Sequence, residues 1–186
     1  MKEIKTSSGK SISIYDDLFT MAQRQEFYNY AKNCNFRLNA TDNPTIEYQS
    51  DISLLSNLNT SDINQFGFFR CINDDNLDKI FSEYILESCL INLSTPADIY
   101  HIHSDVHLKK GITLIYYINM NWNIEWAGET LFFDDSGSEI EYISPYKPGR
   151  LVLFDGQIPH MIRPATFKSN LHRMTLACKF IHKSHW

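Results

Sequence analysis

The residues of this chain best suited to chemistry are His103-Ser104-Asp105, then Pro159-His160 far downstream, then Arg173. Two neutral imidazoles and one carboxylate are the donor set of a mononuclear non-haem iron(II) centre, which leaves about three positions open on an octahedral ion. Open positions are what redox chemistry with oxygen requires, whereas a structural zinc site is closed by four ligands. Residues i and i+2 of a strand point to one face, so His103 and Asp105 are expected to share a metal, with His160 arriving from another strand. An arginine on a later strand is what a dicarboxylate partner of such a metal needs. A guanidinium grips a carboxylate through two parallel hydrogen bonds and stays charged when buried.

Alone, the triplet decides little. With 7 His and many Asp, a His-x-Asp triplet arises by chance about 0.5 times. A surface turn that contains a histidine is therefore an open alternative, and the surrounding elements must choose. Ala97 to His103 is rich in β-branched and aromatic residues and reads as a strand. Gly111 to Asn119 is apolar or aromatic on both faces, the mark of a strand buried on both sides. Glu129–Phe133 and Glu141–Ile143 follow, each bounded by turn residues. Pro148 to Gly156 reads as turn, strand, turn, and Arg173 to Phe180 is the last long strand. Short strands at regular spacing predict a sandwich or jelly-roll barrel, with a metal held at its mouth.

The order Tyr100-x-x-His103-x-Asp105, Thr113-x-x-Tyr116-Tyr117-x-Asn119-x-x-Trp122, Gly128-Glu129-Thr130-Leu131, Pro148-Gly149-Arg150-Leu151, Pro159-His160, Arg173 resembles the iron(II)/2-oxoglutarate dioxygenases. Within them it is most similar to the prolyl-hydroxylase-like branch of animals, bacteria and large phages. The resemblance covers about residues 90–180, and several motifs in order are more specific than any one. It implies a mainly β fold, a double-stranded β-helix (a jelly-roll, cupin-like barrel) with N-terminal helices packed on the outer sheet. It implies iron(II) on His103, Asp105 and His160. It implies 2-oxoglutarate held at its distal carboxylate by Arg173 and Tyr117, with O2 as the oxidant and ascorbate as an accessory reductant. Thr113 lies on the same strand face as Tyr117 and is expected to line that pocket. Tyr100 matches a family tyrosine near cosubstrate or substrate. The implied reaction is hydroxylation of an unactivated C–H bond, and the favoured substrate is a prolyl residue in a peptide or protein. Asp105 favours hydroxylation over halogenation, since related halogenases lose that carboxylate to admit chloride.

The chain departs from the family pattern in places. Ala127-Gly128 stands where Gly-Gly is common, and the His160–Arg173 interval is long, which leaves Arg163 as a rival anion ligand or a substrate contact. Arg173 is preferred because it opens a strand. Trp122 and Trp126 occupy an interstrand loop and read as a substrate lid or a hydrophobic plug. His101 is a rival metal ligand in a cupin-like isomerase that would use His101, His103 and His160. Such a site usually wants a Glu soon after, and none stands between His103 and Glu125. His107 is expected in the loop after the ligands, and His172, His182 and His185 at the surface. Free amino acids and small metabolites remain alternative substrates, and a catalytically silent barrel is the third class.

At 186 residues the chain is expected to form a single domain. Residues 1–88 would supply helical support and substrate-side loops, and residues 89–182 the β-helix core. A net charge of −5 does not advertise nucleic-acid binding. Cys34, Cys71, Cys89 and Cys178 are scattered without a Cys-x-x-Cys and read as reduced, mostly buried thiols of a cytoplasmic protein. No apolar run suits a signal peptide or membrane span, and nothing points to a particular oligomeric state. Ser11–Tyr15 reads as an opening strand. A helix capped by Asp16 or Asp17 is expected to run to about Asn33, and a second from Asn76 to about Leu86. The stretch from Asn35 to Asp51 reads as a loop on the substrate side that includes Tyr48.

Overall fold

Strict alternation along a few strands builds this protein. The computed structural model describes residues 1–38, 54–98, 100–105 and 110–185. Tyr48 and His107 lie outside the described residues. The strands are β1 (Lys2–Lys5), β2 (Ser11–Tyr15), β3 (Arg37–Leu38), β4 (Leu54–Leu58), β5 (Tyr84–Ser94), β6 (Gly111–Tyr117), β7 (Thr130–Phe133), β8 (Ile140–Ser144), β9 (Leu151–Asp155), β10 (His160–Ile162) and β11 (Arg173–His182). The helices are α1 (Met21–Lys32), α2 (Thr60–Phe66) and α3 (Asp75–Glu83). An antiparallel major sheet runs β1-β2-β9-β6-β11-β5-β4-β3, and a minor sheet runs β10-β7-β8. An isolated antiparallel bridge between His103 and His160 adds a fourth position to the minor sheet, beside β10. This is the double-stranded β-helix that the sequence predicts.

The alternation divides the apolar residues between two cores. On β6, Ile115 and Tyr117 face inward between the sheets, where they meet Ile12, Ile14, Val152, Phe154 and Phe132. Leu114, Tyr116 and Ile118 face the other way, onto the helices. There Tyr116 closes a ring of aromatics with Phe19, Phe27 and Phe68, at centroid separations of 5.1–5.6 Å. That packing fixes the helices on the outer surface of the major sheet. A strand with apolar groups on both faces needs a partner on each, and the two cores supply them.

The sequence misjudges several ends. α1 is capped by Thr20, in a capping box with Gln23, rather than by Asp16 or Asp17. Asp16 is instead taken up by Arg150, at 2.8 and 3.0 Å, and by Lys147 at 3.0 Å, while Asp17 has φ 63° in the turn. α3 stops at Glu83, because Tyr84 and Ile85 pair with His182 and Ile181 and join β5. Ladder pairing there overrides a helical apolar pattern. β1, β3, β4, α2 and most of β5 have no counterpart among the sequence expectations, and the described part of residues 1–88 contributes four whole strands and the start of β5 as well as helices. Of the strand expected over Ala97–His103, the described residues form only an isolated bridge at His103. A turn held by the buried Asp98, which accepts from Thr95 N and Oγ1, replaces its first half. Among the described residues no helix is long and apolar enough to cross a membrane. All four cysteines are free; Cys89 and Cys178 are buried, while Cys34 and Cys71 are only half-buried.

The Asp16–Arg150 pair ties the β2–α1 connection to β9. The Arg150 hydrogen bonds outweigh partial burial and hold the Asp16 carboxyl down to about 2. A carboxyl depressed in the folded state stabilises the fold above its unfolded value near 4, and that contribution is lost as pH falls towards 2. Asp16→Asn should therefore lower Tm at pH 7 by a few degrees, since this half-exposed pair is worth about 1 kcal/mol or less. Thermal melts from pH 7 to pH 2 should show the difference between variant and parent vanish at the acid end.

Candidate active site

His103, Asp105 and His160 converge. Their ligand atoms all lie within 4.8 Å of one another, and no other such cluster occurs among the described residues. Asp105 Oδ1 is 3.8 Å from His103 Nε2, and Oδ2 is 3.5 Å from His160 Nε2. Adjacent ligands on an octahedral ion with bonds of ~2.1 Å sit roughly 3 Å apart, so a metal needs only a small inward adjustment.

Two devices bring the three together. His103 N donates to His160 O at 3.0 Å, and His160 N donates to His103 O at 2.8 Å. This reciprocal pair sets the rings side by side, with centroids 4.4 Å apart. Asp105 N then donates to Gly156 O at 3.0 Å, which anchors the next position against the turn after β9. The i, i+2 expectation for His103 and Asp105 thus holds in outcome, through a bridge and a turn contact rather than a regular strand.

Each ring is prepared as a ligand. His103 Nδ1 lies 3.0 Å from His101 O, and His160 Nδ1 lies 3.0 Å from Ile158 O. A backbone carbonyl can only accept, so the proton sits on Nδ1 and the lone pair on Nε2 faces Asp105. Burial pushes His160 down to about 4, against the pull of Asp105, so it is neutral at pH 7. Burial would raise Asp105, but His160, Lys179, His103 and the Thr113 hydroxyl outweigh it and hold the carboxyl at about 2. A carboxylate and a neutral imidazole are the protonation states that metal binding requires.

Arg173 opens β11, where it is 0% exposed. Its Nε donates to Gly128 O at 2.8 Å, Nη1 to Thr175 Oγ1 at 3.2 Å and Nη2 to Thr130 Oγ1 at 3.4 Å. Cζ lies 5.6 Å from the Tyr117 ring centroid and 5.2 Å from that of Tyr146. No carboxylate among the described residues forms an ion pair with it. Burying a cation without a counter-charge is costly, and an anion entering this pocket would offset that cost. Tyr117 shares Thr130 with Arg173, its hydroxyl lying 2.9 Å from Thr130 Oγ1. On β7, Thr130 stands two residues from Phe132, the register partner of His160. One such side-chain step is about 7 Å, a gap that a short dicarboxylate can bridge.

The other candidates fall in distinct places. Thr113 does not reach towards the guanidinium; its hydroxyl donates to Asp105 Oδ2 at 2.7 Å. Ile115 separates it from Tyr117 on that face, because i and i+4 of a strand are well apart. Tyr100 hydroxyl lies 2.5 Å from Ser94 Oγ and 2.9 Å from Asp98 Oδ2, and Ser94 is the register partner of Arg173. Arg163 is largely exposed and its Nη1 is 3.9 Å from Glu129. It lies one residue out of phase with His160 and Ile162, which puts it on the outer face of the minor sheet. Trp122 is a plug. Its Nε1 donates to Ala127 O at 2.8 Å, and its ring packs 4.4 Å from Tyr146. A Cβ on Gly128, at φ +87°, would come within 3.0 Å of Trp122 and 3.4 Å of Arg173, so glycine is required there. Trp126 meets Trp122 edge-on at 5.4 Å. His101 is exposed and outside the cluster. A groove of about 840 Å³ beside α1, β3 and β4 shares no residue with these groups.

Sequence reasoning missed Tyr146 and Lys179, and it quoted Asn119 and Thr130 as motif positions without giving them a role. Tyr146 is fully buried, stacked on Tyr117 at 4.6 Å, and its hydroxyl lies 2.5 Å from Asn119 Oδ1 and 2.6 Å from Met174 O. Asn119 Oδ1 also accepts from Met174 N at 2.8 Å. The two residues hold the start of β11, and with it Arg173. No local pattern marks Tyr146. Lys179 was legible, since the alternation from Arg173 through Thr175 and Ala177 carries it onto the inward face.

The family model described as the 2OG-Fe(II) oxygenase superfamily matches residues 89–181, half of the chain. The chain belongs to that superfamily. Its oxygenase fold resembles solved structures at low identity. A Trichoplax adhaerens prolyl hydroxylase, solved with a hypoxia inducible factor peptide, has a TM-score of 0.66 at 14% identity, over 93% of this chain and 84% of that one. A Pseudomonas putida prolyl-4-hydroxylase has a TM-score of 0.64 at 15% identity, over 92% of each chain. HygX from Streptomyces hygroscopicus, with nickel and 2-oxoglutarate, reaches 0.64 at 11% identity, over 92% of this chain and 83% of that one. HygX has also been solved with hygromycin B bound. No curated protein matches.

The oxygenase geometry separates the ligand histidines from His101, which stands two residues before His103 and outside the cluster. His160→Ala should abolish stoichiometric binding of iron(II) or manganese(II), whereas His101→Ala should leave the dissociation constant within about threefold of the parent. Anaerobic calorimetric titration reads both.

Proposed function

We propose that the protein is an iron(II)- and 2-oxoglutarate-dependent dioxygenase that hydroxylates an unactivated C–H bond of a prolyl residue in a peptide or protein. The observation that carries this is one barrel holding both a His-His-Asp cluster and, one side-chain step away, a fully buried guanidinium with no carboxylate partner among the described residues. A metal fits the donor set, and a dicarboxylate fits the distance and the charge.

His103, Asp105 and His160 would hold iron(II), which supplies oxygen activation coupled to decarboxylation of the cosubstrate to succinate and CO2. The remaining work belongs to the chain. Arg173 and the Tyr117 hydroxyl orient the distal carboxylate of 2-oxoglutarate, which leaves its keto-acid end towards the triad. Thr113 fixes the orientation of Asp105. Tyr146, Trp122 and Phe132 exclude water from the pocket, so the charge contacts act in a medium of low dielectric. One oxygen atom enters the substrate C–H bond as hydroxyl and the other enters succinate.

The prolyl substrate is supported by the prolyl hydroxylases among the similar folds, and that is a weaker warrant than the site itself. HygX, a fold of equal similarity solved with hygromycin B, supports a second reading in which the substrate is a small molecule. Anaerobic titration of the iron(II)-loaded protein with 2-oxoglutarate, followed by the visible charge-transfer band of the chelate, tests the site. The band should saturate in the parent and be absent in Asp105→Ala. Arg173→Ala should bind metal normally and raise the 2-oxoglutarate dissociation constant about 30-fold or more, the cost of removing one member of a buried charged pair. Unchanged affinity in that variant would sink the assignment and return Arg163 to consideration. Mass spectrometry of prolyl peptides for a 16 Da gain, beside succinate release, then separates the two substrate readings.

A further inference from the structure

Asp105 is held from two sides by one cross-strand pair. Thr113 of β6 and Lys179 of β11 are register partners. Thr113 Oγ1 donates to Asp105 Oδ2 at 2.7 Å, and Lys179 Nζ lies 2.9 Å from Oδ1. The carboxylate side chain is 2% exposed, and the lysine side chain 24%. The register of β11 against β5 shifts at Glu87 of β5, whereas β11 pairs with β6 without a break through Lys179. Alternation from Arg173 through Thr175 and Ala177 therefore carries Lys179 to the inward face, where its ammonium meets the triad carboxylate.

We propose that Lys179 is a positioning residue that tunes the metal site: its fixed positive charge on Asp105 Oδ1 opposes the metal and keeps the carboxylate from chelating through both oxygens. The inference rests on the triad being the metal site, as set out under the proposed function. A dication bound between His103, Asp105 and His160 shares the carboxylate with the ammonium. Like charges at such a separation repel strongly where water is excluded. Some metal affinity is thereby given up. In return, each carboxylate oxygen is already engaged, one by a hydroxyl and one by an ammonium. One oxygen would be free to coordinate a metal while the other stays tethered.

The sign of the effect distinguishes this role from plain structural support. Loss of a merely structural ion pair loosens the site and weakens metal binding. Under the proposal, Lys179→Met strengthens it, because the repulsion disappears and the whole carboxylate charge faces the metal. Manganese(II) dissociation constants should be measured anaerobically by calorimetry on the full chain for the parent, Lys179→Met, Lys179→Arg and His160→Ala. Lys179→Met should bind about tenfold tighter or more. Lys179→Arg, which keeps the charge, should stay within about threefold of the parent. Weaker or unchanged binding in a folded Lys179→Met, judged by circular dichroism, overturns the proposal. If Lys179→Met fails to fold, tighter binding in Lys179→Gln supports the same conclusion and unchanged binding overturns it. If instead the parent binds no better than His160→Ala, the triad reading itself fails, a result separate from any effect of Lys179.

Discussion

The reciprocal backbone hydrogen bonds between His103 and His160 are the constraint on which the site depends. They do two jobs at once. They extend the minor sheet by one position where the described residues between Asp98 and Asp105 form no regular strand. They also place two imidazoles side by side, so that the next inward-facing residue, Asp105, completes a cluster of three ligands. The carbonyls two residues before each histidine then fix the tautomer. Six backbone groups therefore prepare the centre before any metal contributes.

The second half of the site is made by the major sheet. β11 enters at Arg173 with its guanidinium sealed under Tyr117, Tyr146 and Trp122. Among the described residues, the guanidinium's hydrogen-bond partners are a carbonyl and two hydroxyls and its ring neighbours two tyrosines, none of which cancels its charge. Such a pocket is stable only because the surrounding fold determines it more than once. Asn119 and Tyr146 bond each other and hold the N–H and the carbonyl of Met174 at the strand start, and Gly128 supplies the close approach that a side chain would block. The charge left unpaired there favours an anion, and the position of Thr130 beside Phe132 sets that anion within reach of the triad.

The metal centre and the anion pocket are linked through β6. Its inward face carries Thr113 at the Asp105 end and Tyr117 at the Arg173 end, and its outward face carries Tyr116 into the aromatic packing that seats the helices. A displacement of this strand is felt at both ends of the cosubstrate site. The helices and the chemistry are therefore coupled by one strand buried on both faces.

Much of this could be read along the chain. The residue types at 103, 105, 160 and 173 announce metal and dicarboxylate chemistry through their intrinsic donor properties. The strands β6, β7, β9 and β11 announce themselves because period-two patterns and turn residues are local signals. The assignment of Thr113 to the anion pocket was less sound. Face alternation says which side a residue occupies, but not which neighbour its hydroxyl meets. β5 was hidden because its first residues carry a helix-like apolar pattern that only pairing with β11 overrides. Tyr146, Asn119 and the grip of Lys179 on Asp105 depend on residues brought from distant strands. By itself the sequence determined the kind of chemistry, the alternating faces and the barrel, since these follow from side-chain chemistry and short-range periodicity. Only the tertiary structure decided which guanidinium is buried without a counter-charge and which groups hold the carboxylate, because burial and long-range contact are properties of the folded chain.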